Sequence, residues 1–192
     1  FGIEAGRRCV LVVGGSQGAQ TVNECALAAF GGAGEREFHV LHVAGRRDYA
    51  ALRERLDGLR GDRYTLLEYE PDLGDCLAAC DLVLGRAGGS IFEFTAAGRP
   101  AVLVPYPHAT ADHQSANAAW MARAGAAVVI PDAELQLDGL RDLVGGLLAD
   151  GARLERMAAA SRSLAMPDAA SRIADEVLAA AEPKPERLAT SD

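Results

Sequence analysis

The stretch RAGGSIFEFTAAGRPAVLVPYPHATADHQSAN, residues 86–117, decides how this chain is read. A glycine turn opens a predicted helix, Glu93 lies one turn inside it, and Gly98-Arg99-Pro100 ends it and delivers the chain into a strand. The apolar run 101–104 reads as that strand. A polar loop follows, with Asp112-His113-Gln114 leading to Asn117. Glycines before a helix let backbone N–H groups approach an anion. A carboxylate accepts hydrogen bonds from a diol, and amides both donate to and accept from hydroxyls. The order therefore suits a nucleotide diphosphate at one end and a sugar at the other. A second loop, Gly14-Gly15-Ser16-Gln17-Gly18, follows the first predicted strand. Two such loops in one open sheet point to a nucleotide-sugar site.

Outward from these loops, short apolar runs alternate with helical patterns. Strands are predicted at Cys9–Val13, His39–Val43, Tyr64–Leu67, Leu82–Leu84, Ala101–Val104 and Ala127–Ile130. They are rich in Val and Leu with little alternation, as parallel strands covered on both faces are. Helices are expected near 18–30, 47–58, 73–79, 90–97, 113–124, 136–149, 151–164 and 168–181. This succession predicts an α/β fold, a Rossmann-like doubly wound parallel sheet of about six strands. Asp132 is expected to cap the helix after it, and Pro167-Asp168 to reset the chain before the last one. The end, Glu182–Asp192, reads as a solvated, disordered tail.

Composition narrows the function. The chain has 192 residues, enough for one domain with a sizeable core, and 49% of them are hydrophobic. Its net charge of −8 argues against a nucleic-acid partner. It also sets a problem, since a diphosphate must find local positive potential in an acidic protein. Helix N-termini and open N–H groups are one answer. The four cysteines, Cys9, Cys25, Cys76 and Cys80, lack zinc or redox spacing and read as buried small hydrophobes. No apolar run reaches membrane-spanning length, and no signal peptide is evident. No His, Cys, Asp and Glu set has metal-ligand spacing, so neither a metal nor another cofactor is expected.

Several side chains support two readings each. The first loop is neither a Walker motif nor GxGxxG, and a plain tight turn would also explain it. Arg86 either adds charge to the second loop or braces it. Glu93 either compensates the helix dipole or accepts both hydroxyls of a ribose. Asp112 is a cap or a sugar ligand, and His113 a base or a quieter loop residue. His39 and His42 are expected in a strand, and His108 as loop filler.

The segments VLVVGGSQGAQTVNE (10–24), GRAGGSIFEFTAAGRPAVLVPYP (85–107) and DHQSANA (112–118) together resemble the C-terminal half of the MurG family. These are bacterial GlcNAc transferases that make lipid II, of glycosyltransferase family 28 in the GT-B superfamily. The resemblance runs from about Cys9 to Ala181. It implies a donor-binding domain for UDP-GlcNAc over 9–181, with 1–8 as the remnant of an interdomain linker. It implies that Gly15, Ser16, Gln17 and Gly18 face the diphosphate, and that Arg86, Gly88, Gly89 and Ser90 form the loop at the phosphate and sugar. Glu93 would hold the ribose, and His113, Gln114 and Asn117 would lie toward the GlcNAc. The uracil would meet the backbone at Tyr69 and Glu70.

The implied reaction is inverting transfer of GlcNAc to a lipid-linked muramoyl-pentapeptide, without a metal. The acceptor site, the catalytic base and the peripheral membrane contact, at the cytoplasmic face of the plasma membrane, would belong to an N-terminal half absent from this chain. Two departures stand out: the Arg86–Glu93 loop is one residue shorter than usual in the family, and His113 replaces a glutamine. A donor subunit of a two-chain transferase, a lipid glucosyltransferase, a UDP-GlcNAc 2-epimerase and a nucleotide-sugar sensor stay open as alternatives.

Overall fold

The computed structural model describes residues 1–14, 19–32, 36–59 and 63–181. Six strands form one sheet: β1 (Arg8–Val13), β2 (Phe38–Val43), β3 (Tyr64–Leu67), β4 (Leu82–Gly85), β5 (Ala101–Leu103) and β6 (Ala127–Val129). Their order is β3-β2-β1-β4-β5-β6, and every neighbouring pair is parallel. Among the described residues eight α-helices connect and flank them: α1 (Gln20–Phe30), α2 (Tyr49–Leu59), α3 (Leu73–Ala79), α4 (Ile91–Ala96), α5 (His113–Arg123), α6 (Leu137–Ala149), α7 (Gly151–Ser163) and α8 (Ala169–Ala181). The predicted doubly wound α/β sheet is thus present, with boundaries moved by a few residues. The predicted tail and the Gly15–Gly18 loop lie outside the described residues.

Because successive strand residues face opposite sides, β1 divides between two cores. Val10 and Val12 join Val22, Ala26, Phe30, Val144 and Leu147 on the side of α1 and α6. Cys9, Leu11 and Val13 join Leu77, Ile91, Phe94 and Met121 on the side of α3, α4 and α5. Both faces are covered, so neither set of positions can be polar, which accounts for the unbroken apolar runs. Cys9, Cys76 and Cys80 are buried in the second core. Burial first, then nearby acids, pushes their thiols up to about 12, 11 and 12 in that order, though Arg99 opposes the rise at Cys80. They are not nucleophiles at neutral pH.

Helices α4 and α5 end alike. Gly98 and Gly125 take left-handed φ of 63° and 81°. After α4, the Arg99 N–H reaches Phe94 O at 2.8 Å and the Gly98 N–H reaches Thr95 O at 2.9 Å. After α5, the Ala126 N–H reaches Met121 O and the Gly125 N–H reaches Ala122 O, both at 2.9 Å. This is the Schellman arrangement, which satisfies otherwise open carbonyls and turns the chain into β5 and β6. At Gly98 a side chain would also run into the aliphatic stem of Arg162 on α7.

One polar cluster is buried beside the first core. Asn23 of α1 donates its Nδ2 to Ala44 O and to Asp48, both at 2.9 Å. Its Oδ1 must therefore accept, so His42 donates from Nε2 (3.0 Å) and receives the Tyr64 hydroxyl at Nδ1 (2.6 Å). Burial holds the His42 imidazole down to about 3, partly opposed by Asp48.

Two outcomes follow from these features. Gly98→Ala should destabilise the fold by about 1–3 kcal/mol or more in urea unfolding, from left-handed strain plus the Arg162 clash. His42 is neutral when folded and titrates normally when unfolded, so unfolding takes up protons below pH 6.5. Stability should accordingly fall with pH from 6.5 toward 3, by at most about 1.4 kcal/mol per unit from this group. Urea unfolding at pH 7 and pH 5 measures it. In His42→Gln, weaker overall, much of that pH dependence should disappear; an unchanged slope would show that His42 is not its source.

Candidate functional site

The strand order reverses between β1 and β4, and in open parallel sheets a crevice forms beyond the carboxyl ends of strands at such a point. Here a cleft of about 800 Å³ opens there, lined by residues following β1, β2, β3, β4 and β5. Its size suits a nucleotide-sized ligand. A second cavity, of about 340 Å³, lies against Arg8, Phe38 and Leu148, beside the first residues of β1 and β2. None of the candidate site residues lines it.

Gly85 closes β4 against Val13, where a Cβ would stand 2.6 Å from the Val13 carbonyl oxygen. The chain then turns through Arg86 to Ser90 into α4. Arg86 is held on the loop. Its Nη1 bonds to Val104 O (3.1 Å), Pro105 O (3.4 Å) and the Asp132 carboxylate, and its guanidinium lies 5.4 Å from the Tyr106 ring centroid. Of its two readings the observed one is bracing. With the Arg86 and Asp132 side chains only 11% and 19% exposed, its charge is already matched. This corrects the role expected of Asp132. It does not cap α6, which begins at Leu137 after Gln136 without a side-chain cap. Its carboxylate pairs across the sheet end with Arg86.

Beyond Arg86, the backbone N–H groups of Gly88, Gly89 and Ser90 find no acceptor among the described residues, although their carbonyls accept from Ile91, Phe92 and Phe94. The Ser90 hydroxyl does not cap α4. All three residues line the cleft, as do Glu93 and Gln114. Glu93 is exposed, and its carboxylate has no partner among the described residues. Gln114 accepts the Tyr106 N–H at 2.9 Å through Oε1. Its Nε2 lies 3.9 Å from where a Gly88 Cβ would stand, so its donor end borders the glycine loop.

Across the cleft stand Tyr69 and Glu70, just beyond β3. Their backbone N–H and C=O groups make no hydrogen bond among the described residues, while the Glu70 side chain receives the Asp72 N–H at 3.1 Å. Arg46 stacks 4.7 Å from the Tyr69 ring centroid. Gly15, Ser16, Gln17 and Gly18 lie outside the described residues; Gly14 and Ala19, on either side of them, both line the cleft.

Two expected ligands are placed differently. Asn117 donates Nδ2 to Ala87 O at 2.9 Å, tying α5 to the glycine loop from behind. His113 donates Nδ1 to Thr110 O at 2.8 Å, and neither residue lines the cleft. Asp112 stands at the N-cap of α5 but makes no cap bond with its side chain. It and Ala111 hold left-handed φ of 53° and 51°, a conformation that costs non-glycine residues about 1–3 kcal/mol each. Sequence reasoning missed Arg47, Tyr106, Pro71 and Leu73, which also line the cleft. The available signal was position: Arg47, Pro71 and Tyr106 each come within a few residues of the carboxyl end of a predicted strand.

Among the described residues no cluster of three or more His, Cys, Asp or Glu side chains is arranged to hold a metal ion. On the described lining of the cleft, the groups able to meet an anion are open N–H groups, a hydroxyl and side-chain cations.

The sequence pattern of the glycosyltransferase family 28 C-terminal domain matches residues 9–173. The UDP-N-acetylglucosamine--N-acetylmuramyl-(pentapeptide) pyrophosphoryl-undecaprenol N-acetylglucosamine transferase of Moorella thermoacetica is 43% identical over 189 residues, covering 95% of this chain and 51% of that protein. The transferase of the same name from Rubrobacter xylanophilus is 42% identical over 172 residues, covering 89% and 49%. The crystal structure of Acinetobacter baumannii MurG superposes with a TM-score of 0.80 at 29% identity, covering 92% of this chain and 54% of that one. The chain thus spans about half the length of the curated relatives it matches. With a matching pattern over most of its length, a sheet of the expected order and a cleft at its switch point, the chain belongs to the glycosyltransferase family 28 C-terminal domain family.

Proposed function

We propose that the cleft binds UDP-GlcNAc and that the chain is the donor-binding half of a GlcNAc transferase whose acceptor is a lipid-linked muramoyl-pentapeptide. The observation that carries this reading is the run of three unpaired N–H groups at Gly88, Gly89 and Ser90 beside the unpaired Glu93 carboxylate. The N–H groups suit a diphosphate and the carboxylate a ribose diol. The open backbone at Tyr69 and Glu70 offers both donors and acceptors, which suits the edge of a uracil. The Nε2 of Gln114 is the donor nearest the glycine loop for the sugar. The names of the Moorella and Rubrobacter relatives support the same donor and acceptor.

In this reading the acceptor hydroxyl attacks the anomeric carbon of GlcNAc from the face opposite UDP, and the bond from that carbon to the β-phosphate oxygen breaks. Negative charge grows on UDP as it leaves. The glycine-loop N–H groups, already oriented, stabilise that charge without a metal. The base that takes the hydroxyl proton is assigned to an acceptor-binding half. So is the peripheral contact with the inner face of the plasma membrane; among the described residues no helix is long and apolar enough to cross a membrane.

Calorimetric titration with UDP-GlcNAc, UDP-glucose and UDP, with and without EDTA, tests the proposal. Binding should prefer UDP-GlcNAc and be indifferent to EDTA. Glu93→Ala should weaken UDP binding by about 1.5–3 kcal/mol, the range for hydrogen bonds to a charged group. A folded chain that ignores all three ligands would overturn the donor assignment, and an unchanged affinity in Glu93→Ala would remove Glu93 from the ribose.

A further inference from the structure

The cleft must accept an anionic ligand in a protein of net charge −8. The charged side chains among its described lining are Arg47, Glu70, Arg86 and Glu93, two of each sign. Arg86 is already neutralised by Asp132 and held by two carbonyl oxygens. Arg47 is in a different state. It sits on the turn between β2 and α2, and its side chain is 61% exposed. Its Nε donates to Asp48 Oδ1 at 2.9 Å and its Nη2 reaches Asp48 Oδ2 at 3.4 Å, so one edge of the guanidinium faces the carboxylate. Its Nη1 makes no hydrogen bond among the described residues.

Asp48 does not swing freely with it. The Asp48 side chain is 14% exposed, and its Oδ2 also receives the Nδ2 of Asn23 at 2.9 Å. Asn23 is fully buried and held by His42 and by Ala44 O. A buried chain of hydrogen bonds from Tyr64 through His42 and Asn23 thus fixes the carboxylate on which Arg47 leans. A surface ion pair alone would orient an arginine poorly, because its energy barely exceeds the entropy of holding both side chains. An anchored carboxylate takes that uncertainty away. A guanidinium carries five N–H donors in a planar fork, and with one edge on Asp48 the other matches two phosphate oxygens.

We infer that Arg47 is a ligand of the diphosphate, its outer guanidinium edge taking phosphate oxygens while Asp48, fixed through Asn23, holds the inner edge. This rests on the donor-site reading above and adds to it a cation on the wall opposite the glycine loop.

Arg47→Ala and Arg47→Lys, each checked for an unchanged thermal unfolding midpoint, are compared with the parent chain for UDP by calorimetry and for uridine by NMR titration. Arg47→Ala should weaken UDP about 10–100-fold and leave uridine within about twofold. Arg47→Lys, which keeps the charge but not the fork, should fall between. The salt dependence of UDP binding should also become shallower in Arg47→Ala. If the parent chain binds UDP and Arg47→Ala binds it equally well, or loses UDP and uridine in equal proportion, the inference is overturned and the donor reading stands. If the parent chain binds neither, the donor reading itself fails and takes Arg47 with it.

Discussion

Where β1 meets β4, the Val13 carbonyl oxygen stands 2.6 Å from the position a Cβ on Gly85 would occupy, so glycine is what lets the two strands stay in register to their carboxyl ends. The pairing is also where the sheet changes direction, from β3-β2-β1 on one side to β4-β5-β6 on the other. The connections leaving β1 and β4 lead to α1 and α4, on opposite faces of the sheet. The space left over is the cleft. The loop that begins at Arg86 follows Gly85 directly, so its position is a consequence of one tight backbone contact. A bulkier residue at Gly85 would part the strands at the floor of the site, before it touched any ligand group.

The electrostatics of the cleft follow from what its walls have already consumed. Arg86 reads in the sequence either as added charge or as a brace, and its Nη1 is bonded to Asp132 and to the carbonyls that follow β5. That arrangement has a structural logic. A nearly buried guanidinium without a partner is costly, and one matched by a carboxylate and carbonyls can hold the loop from Gly88 to Ser90 rigid. Rigidity matters there because donors that are already oriented need no reorganisation when charge develops on a leaving group. In the proposed donor site Arg86 thus shapes the loop, and the open N–H groups of that loop are the ones to meet the anion. Asn117 serves the same end from α5, since its bond to Ala87 O fixes the residue just before those donors.

The fold was legible because its signals are local. Apolar strands of three to six residues, a helix between each pair, and glycines at the left-handed positions 98 and 125 are each set by a few adjacent residues. The glycine loop with Glu93, which lines the cleft, stood out in the sequence for the same reason. What escaped was every role that depends on a partner distant in sequence. Nothing near Asp132 announces a guanidinium 46 residues earlier, so it read as a helix cap. Asn117 lies 30 residues from Ala87, so it read as a sugar ligand beside Gln114, although only Gln114 borders the cleft. Arg47 belongs to no motif and reaches the wall because β2 runs parallel to β1 and ends level with it, Val43 opposite Val13.

The cluster of buried Asn23 and His42 with half-buried Tyr64 explains why that wall is placed so firmly. An apolar contact between α1 and β2 would tolerate several packings at little cost, since volume matters more there than shape. A chain of hydrogen bonds does not. Asn23 has its amide donors on Ala44 and Asp48, which leaves its oxygen for His42 alone, and His42 then has one nitrogen left for Tyr64. Each member fixes the orientation of the next, and a rotation of α1 would leave buried polar atoms without partners. The network joins α1, which follows the first glycine loop, to the turn that carries Arg46 and Arg47. Two walls of the cleft are thereby set against each other through the interior.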